Sequence, residues 1–348
     1  MSSVLHINFD IYSDKLVNYK VGGVPCAIQN IITYLPSGGS HKILTFDSSI
    51  NTPNFENGNF IFPNLIKSYF SSFIRKPILV RRAFKEIDIF VFHHPPPVKI
   101  LFYLKLLFPF KKILCFIYTK QFKYDRIMFP VSIFVSTDII LKNNLIQSGY
   151  PKNKVKAIGV VPDIDKYDVE KNNIKSSLLN GKPKLWYSAG PRSEMGYYVF
   201  VDEIIKDIGQ KNDYRITLLG EVGISVDPRL QKMKNVEFGG MYSSVPNAMA
   251  EVDIMAYLII DHVHKMHMPL MVVESMLMKR IIISTLSGGL SSLLNEKNCI
   301  VVSKGGGFLN ELGNHNKKDL INKSELGYQD VKKYINNTIA SMEDLFNV

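Results

Sequence analysis

The sequence predicts an α/β chain of two domains, each a parallel sheet wound by helices. Three observations predict it. Short apolar runs alternate with segments of helical spacing, the pattern of parallel strands joined by right-handed crossovers. The alternation breaks at 166–183, a polar stretch rich in Asn, Lys and Ser that closes on Gly181-Lys182-Pro183, and then starts again. The chain has 348 residues, where roughly 150 per domain is usual. The expected layout is a first domain at 1–165, a linker at 166–183, a second domain at 184–328 and a last helix within 329–348 that packs back on the first domain.

Taken in order, Val4 to Phe9 reads as a strand, followed by a loop holding Gly22-Gly23. Ala27, Ile28, Ile31, Ile32 and Leu35 then share one helix face. Lys42 to Phe46 is a second strand, and the Asn-, Pro- and Gly-rich stretch 51–64 is expected to be a loop. Ile87 to Phe92 is a continuous apolar run, as a strand covered on both faces requires. A helix from Val98 to Leu107 and strands at Ile113–Ile117 and Val131–Val135 follow. Thr137 is placed to cap a helix that runs to Gln147 and ends at Gly149, and Val155 to Val161 closes the first half. The second half repeats the scheme, with strands at 185–188, 215–219, 236–238, 254–257 and 281–283 and helices at 197–209, 245–251 and 269–278. The final helix is expected at about 329–346. Ligands of such sheets bind beyond the carboxyl ends of the strands, so two domains of this kind would face each other across a binding cleft.

Composition narrows the partners. Cys26, Cys115 and Cys299 are far apart and odd in number, which suits buried thiols in a reducing, cytoplasmic setting. The N-terminal segment lacks the basic and long apolar regions of a signal peptide, and charges interrupt the most apolar stretch, 100–118. The formal net charge of +11 favours anionic partners. Arg75, Lys76, Arg81 and Arg82, interleaved with Phe and Ile, would suit an anionic membrane surface, placing the protein at the inner face of the cell membrane. The plain alternative is a solvated helix face. No nucleic-acid module accompanies the charge, and no nucleic acid is expected.

Several segments carry chemistry. Gly22-Gly23 before a helix lets backbone N–H groups approach a diphosphate; a simple glycine turn is the alternative. Gly190-Pro191-Arg192 follows a strand, and the Arg192 fork suits phosphate. Glu274 can accept hydroxyl hydrogen bonds, or be merely a helix N-terminal carboxylate favoured by the dipole. Gly288-Gly289 offers backbone amides after a buried strand. His93 and His94 end a strand before three prolines and are candidates for acceptor or donor contact. Asp261, His262, His264 and His267 crowd one loop after a strand. A metal is not expected there, because no carboxylate cluster accompanies the histidines.

The ordered set of these segments resembles the retaining glycosyltransferases of the GT4-like (glycosyltransferase group 1) family over nearly the whole chain. The resemblance is carried by Pro269 to Met276, Ile281 to Thr285 with Ser287-Gly288-Gly289-Leu290, Gly190-Pro191-Arg192, Asn235 to Gly239 and Gly22-Gly23. It implies the GT-B fold, metal-independent transfer without a cofactor, and a nucleotide-sugar co-substrate, UDP-sugar first among them. It further implies donor contacts from Gly22, Gly23, Gly190, Arg192, Glu274, Gly288 and Gly289, with Arg192 as a catalytic candidate. Read from their places in the chain, Asp261 and His267 are near enough to substitute for missing contacts, and Asp261, His93 and His94 join the catalytic candidates. The acceptor would be a growing glycan, lipid-linked if the basic, aromatic-rich 67–85 region holds the protein at a membrane. Three positions depart from the family pattern: Met266 stands where a first glutamate is usual, Met195 where a lysine is usual, and Tyr118 where a histidine is usual. Two other readings share the fold: a non-catalytic sugar-nucleotide binder and a sugar-nucleotide epimerase.

Overall fold

The computed structural model describes residues 3–8, 31, 33–34, 41–45, 58–61, 77–93, 95–96, 98–118, 130–172, 179–189, 196–207, 211–217, 227–240, 242, 244–259, 268–303 and 306–346. The chain divides into two compact units, Met1–Val161 with Asn336–Val348, and Pro162–Ile335.

In the first unit the described strands are β1 (Val4–Asn8), β2 (His41–Thr45), β3 (Gly58–Ile61), β4 (Ile89–Phe92), β5 (Lys112–Ile117), β6 (Ile133–Ser136) and β7 (Val155–Ala157). They pair in parallel in the order β3-β2-β1-β4-β5-β6-β7, so the order turns back between β1 and β4. All four residues of β4 are buried, as a strand covered on both faces demands. Helices α1 (Pro77–Ala83), α2 (Val98–Leu107) and α3 (Ile139–Gln147) accompany it. Leu5 and Ile7 pack with Phe90, Phe92, Leu101 and Leu141 in one core cluster. By the two-residue alternation of a strand, Val4 and His6 face the other way.

Two expectations are corrected here. The 51–64 stretch contains strand β3, hydrogen-bonded to β2; its four residues are too few to show a period, and pairing with a neighbour supplies what the local sequence lacks. The cap of α3 is Asp138, not Thr137: its Oδ1 accepts from Leu141 N at 2.7 Å, and a carboxylate at a helix N-terminus also meets the dipole. Gly149, at φ 97°, ends α3. Its N–H reaches Ile146 O and that of Tyr150 reaches Leu145 O, a pair of closing bonds that needs a left-handed residue.

The second unit contains α4 (Ile164–Tyr167), β8 (Lys184–Tyr187), α5 (Tyr197–Lys206), β9 (Asp213–Thr217), α6 (Pro228–Gln231), β10 (Val236–Gly239), α7 (Val245–Ala250), β11 (Ile254–Tyr257), α8 (Leu270–Leu277), β12 (Ile281–Ser284), β13 (Ile300–Val301) and α9 (Phe308–Gly313). Its described strands run parallel in the order β10-β9-β8-β11-β12-β13, turning back between β8 and β11. The last helix, α10, is Lys317–Phe346, starting earlier than the expected 329. Asn316 and Asp319 explain the start: Asp319 N donates to Asn316 Oδ1 at 3.0 Å and Asn316 N to Asp319 Oδ2 at 3.4 Å, a reciprocal cap. The end of α10 belongs to the first unit, where Lys112 Nζ donates to Leu345 O at 2.6 Å. Among the described residues no helix is long and apolar enough to cross a membrane.

Candidate functional site

In an open parallel sheet, the crevice where the strand order reverses is the natural binding place. In the second unit that point lies between β8 and β11. Several sequence candidates follow these two strands in the chain. Gly190 and Arg192 come after β8; Asp261, His262, His264 and His267 come after β11. All of these lie outside the described residues, as do Gly22, Gly23, His94, Arg75, Lys76, Met195 and Met266. Among the described residues no cluster of His, Cys, Asp or Glu could hold a metal ion.

Glu274 is described in full. It is the fifth residue of α8, a helix whose first turn carries no acidic residue, and it is only 7% exposed. Its burial at the fifth position sets it apart from a solvent-facing carboxylate of a first helical turn. Burial pushes its acid up to about 7, with Asp163 adding repulsion, while a hydrogen bond from Tyr167 and the charge of Lys166 oppose the rise. Charge in a low dielectric is costly, so the carboxyl is held near the balance between neutral and charged forms. Sequence reasoning missed Asp163, Lys166 and Tyr167, which fall at a domain end and in a polar stretch. The only signal was one aromatic residue among charges.

The helix bearing Glu274 is locked to the sheet by hydroxyls. Tyr257, the last residue of β11, donates to Met271 O at 3.0 Å and meets Ser275 Oγ at 2.9 Å, while Ser275 Oγ donates to Met271 O at 2.6 Å. Burial and the nearby Glu274 push the Tyr257 phenol up, so it stays protonated. Beyond β12, Thr285 Oγ1 donates to Ile259 O at 2.7 Å and Ser284 Oγ to Tyr257 O at 3.1 Å, tying the ends of β11 and β12 together. Gly288 and Gly289 follow at once, opening the short 3-10 turn Gly288–Ser292, and Gly288 takes φ 59°. A side chain would strain there.

A further glycine, next to Met195, has a steric role that its place in the sequence did not show. Gly196 caps the N-terminus of α5 at φ 82°, and a Cβ on it would lie 2.0 Å from Leu258 O. The helix after β8 can thus sit against the chain leaving β11 only because this residue has no side chain. In the first unit His93 directly follows β4 and is fully buried, with Nδ1 2.9 Å from Tyr118 Oη and Nε2 3.1 Å from His6 Nδ1. Both ring nitrogens are engaged inside the protein, so any bearing on a ligand runs through Tyr118.

The second sheet, with its buried carboxyl and its glycine turn, falls within a recognisable segment. Residues 182–314 match the family model of glycosyl transferases group 1. No curated protein matches the chain at the level of sequence. Solved structures do match. Anabaena Alr3699/HepE in complex with UDP and glucose superposes with a TM-score of 0.69 at 13% identity, over 99% of this chain and 98% of that one. A glycosyltransferase from Rickettsia africae ESF-5 gives 0.69 at 14%, over 99% and 97%. The lipopolysaccharide outer core galactosyltransferase WaaB, in its apo form, gives 0.64 at 13%, over 97% and 99%. The chain has the GT-B fold, with two Rossmann-like domains.

Proposed function

We propose that the protein transfers a hexose, with retention of configuration, from a nucleoside-diphosphate sugar to a hydroxyl of a growing glycan. The second unit takes the donor and the first the acceptor. The observation that carries this reading is the buried carboxyl of Glu274, raised to about 7 by burial on the helix that follows the reversal point of the second sheet. A ribose brings two adjacent hydroxyls, and each can donate to that carboxylate. Hydrogen bonds to a charged group contribute roughly 1.5–3 kcal/mol, enough to offset its desolvation. The Gly288-Gly289 amides and the Gly190–Arg192 turn serve the diphosphate, where Arg192 stabilises charge on the leaving group. The UDP-bound HepE neighbour favours UDP as the nucleotide.

The test is a thermal-shift screen of UDP-, GDP-, ADP- and dTDP-sugars on wild type and Glu274→Ala. A ligand at about 100 times its Kd adds about 2.7 kcal/mol. One nucleotide series should stabilise the wild type and fail on the variant. Stabilisation by no series removes the proposal; donor binding without transfer to any acceptor favours a non-catalytic binder instead.

Peripheral attachment to the inner face of the cell membrane, with a lipid-linked acceptor, belongs to the same proposal. Lys99, Phe102 and Leu106 are exposed and share the outer face of α2 by helical spacing, Phe110 is 97% exposed, and Arg81 and Arg82 are exposed on α1. Neutralising Arg75, Lys76, Arg81 and Arg82 together should weaken sedimentation with vesicles containing phosphatidylglycerol. Unchanged sedimentation would remove the membrane from the proposal.

A further inference from the structure

Four neighbouring strands of the first sheet each bring one ring to the same face. His41 opens β2, His6 lies within β1, His93 follows β4 and Tyr118 follows β5. The register sets Val4 opposite His41 and Ile89, and alternation by two then places His41, His6 and His93 side by side on the face opposite Leu5 and Ile7. His41 Nδ1 is 3.2 Å from His6 Nε2, His6 Nδ1 is 3.1 Å from His93 Nε2, and His93 Nδ1 is 2.9 Å from Tyr118 Oη. The His6 and His93 rings stack with centroids 5.4 Å apart. Phe346 at the end of α10 lies 6.3 Å from His6, and Phe116 lies 5.3 Å from His93. His6 and His93 have no exposed surface, and His41 and Tyr118 have little.

A hydrogen bond between two ring nitrogens needs one proton, and a neutral imidazole carries one N–H and one bare nitrogen. Each ring therefore donates through one nitrogen and accepts through the other, and the choice at one ring dictates the choice at the next. The four groups have two self-consistent polarities, one running from Tyr118 to His41 and one the reverse. A charged ring would set two donors against each other. Burial first, then the neighbouring His93 and His41, hold His6 well below its ordinary range, so it stays neutral. Packing alone does not call for three adjacent imidazoles, because a buried polar ring is costly unless it is bonded.

We propose that Tyr118, His93, His6 and His41 form one polarised hydrogen-bond relay that positions the Tyr118 hydroxyl for a sugar hydroxyl of the acceptor. This rests on the transferase reading above. Tyr118 stands at the carboxyl edge of the first sheet, where such sheets receive ligands. A phenol has one hydrogen and further lone-pair capacity. Where Tyr118 donates to His93 Nδ1, its oxygen meets the sugar as an acceptor; in the reverse polarity it meets the sugar as a donor. The relay presets one of these. His93, His6 and His41 are positioning residues, and no proton leaves the protein.

The nitrogen-15 spectrum of the histidine rings tests the relay, and acceptor kinetics test its role. In the wild type His41, His6 and His93 should each be neutral and in a single tautomer. Tyr118→Phe should alter the nitrogen shifts of His93, then His6, then His41, two rings away, in a protein that stays folded with a modestly lowered melting temperature, because His93 loses one buried partner. Changes confined to His93, or mixed tautomers in the wild type, overturn the relay. His6→Leu, whose side chain has neither donor nor acceptor, cuts it at the centre and should uncouple His41 from Tyr118→Phe. Tyr118→Phe should also lower acceptor kcat/KM about tenfold, the worth of one hydrogen bond, while the donor-induced thermal shift stays at its wild-type value. Unchanged acceptor kcat/KM overturns the positioning role. A wild type that no nucleotide sugar stabilises overturns the transferase reading and Tyr118's acceptor role with it, and the spectra still decide the relay.

Discussion

The two sheets share a strand order around their reversal points but bury opposite chemistries there. The second unit buries an acid, Glu274, whose pKa rises to about 7. The first buries bases, His6 and His41, whose values fall. One physical cause acts on both, because a low-dielectric interior disfavours whichever form is charged. For an acid this leaves a carboxyl that incoming hydroxyls can help to ionise. For imidazoles it leaves neutral rings, each with one donor and one acceptor, suited to passing on a direction. The same topology thus gives a receptive charge on one side and a neutral relay on the other.

The sharpest way to break that comparison is pH, because the two units should respond with opposite sign. A carboxyl raised from 4.5 to about 7 binds more protons folded than unfolded across that interval. Its contribution is fully present below about pH 4.5 and is lost as pH rises through about 7, a change on the order of 3 kcal/mol. Glu274→Gln should therefore unfold at higher urea than wild type at about pH 8 and lose that advantage at about pH 5. Equal midpoints at both pH values would show that the carboxyl is not desolvated as described. A lowered histidine works the other way: its contribution is present above about pH 6.5 and is lost as pH falls below it. His6→Leu should cost about 2 kcal/mol at neutral pH, since His41 and His93 each lose a buried partner, and should flatten the acid side of the urea-midpoint profile. A profile as steep as that of the wild type would place the acid sensitivity elsewhere.

The smallest effect compares two caps. Asp138→Ala in the first unit and Asn316→Ala in the second should each cost about 1 kcal/mol in urea unfolding. A salt-sensitive loss for Asp138 alone would sharpen the difference between a charged and a neutral cap.

Strands β4, β11 and β12 were legible because buried parallel strands read as unbroken apolar runs, and Ile-Phe-Val-Phe at 89–92 and Ile-Ile-Ile at 281–283 are such runs. Edge strand β3 was not, because its pairing with β2 is not encoded in its own four residues. The start of α10 was readable from Asn316 and Asp319 but hidden by a polar first half that carries little apolar period. At the candidate site, residue types in order along the chain singled out Glu274 and the Gly288-Gly289 turn.

By itself the sequence determined the α/β class, the two successive alternations and the carboxyl and glycines proposed to meet the donor, because these depend on local period and on which atoms a side chain carries. Only the tertiary structure decided that Tyr167 bonds Glu274, that Gly196 must clear Leu258 O, and that His41, His6, His93 and Tyr118 touch. Those contacts join residues 35 and 87 positions apart in the relay. Strand order and register create them, and neither can be read from the spacing of residues along one chain.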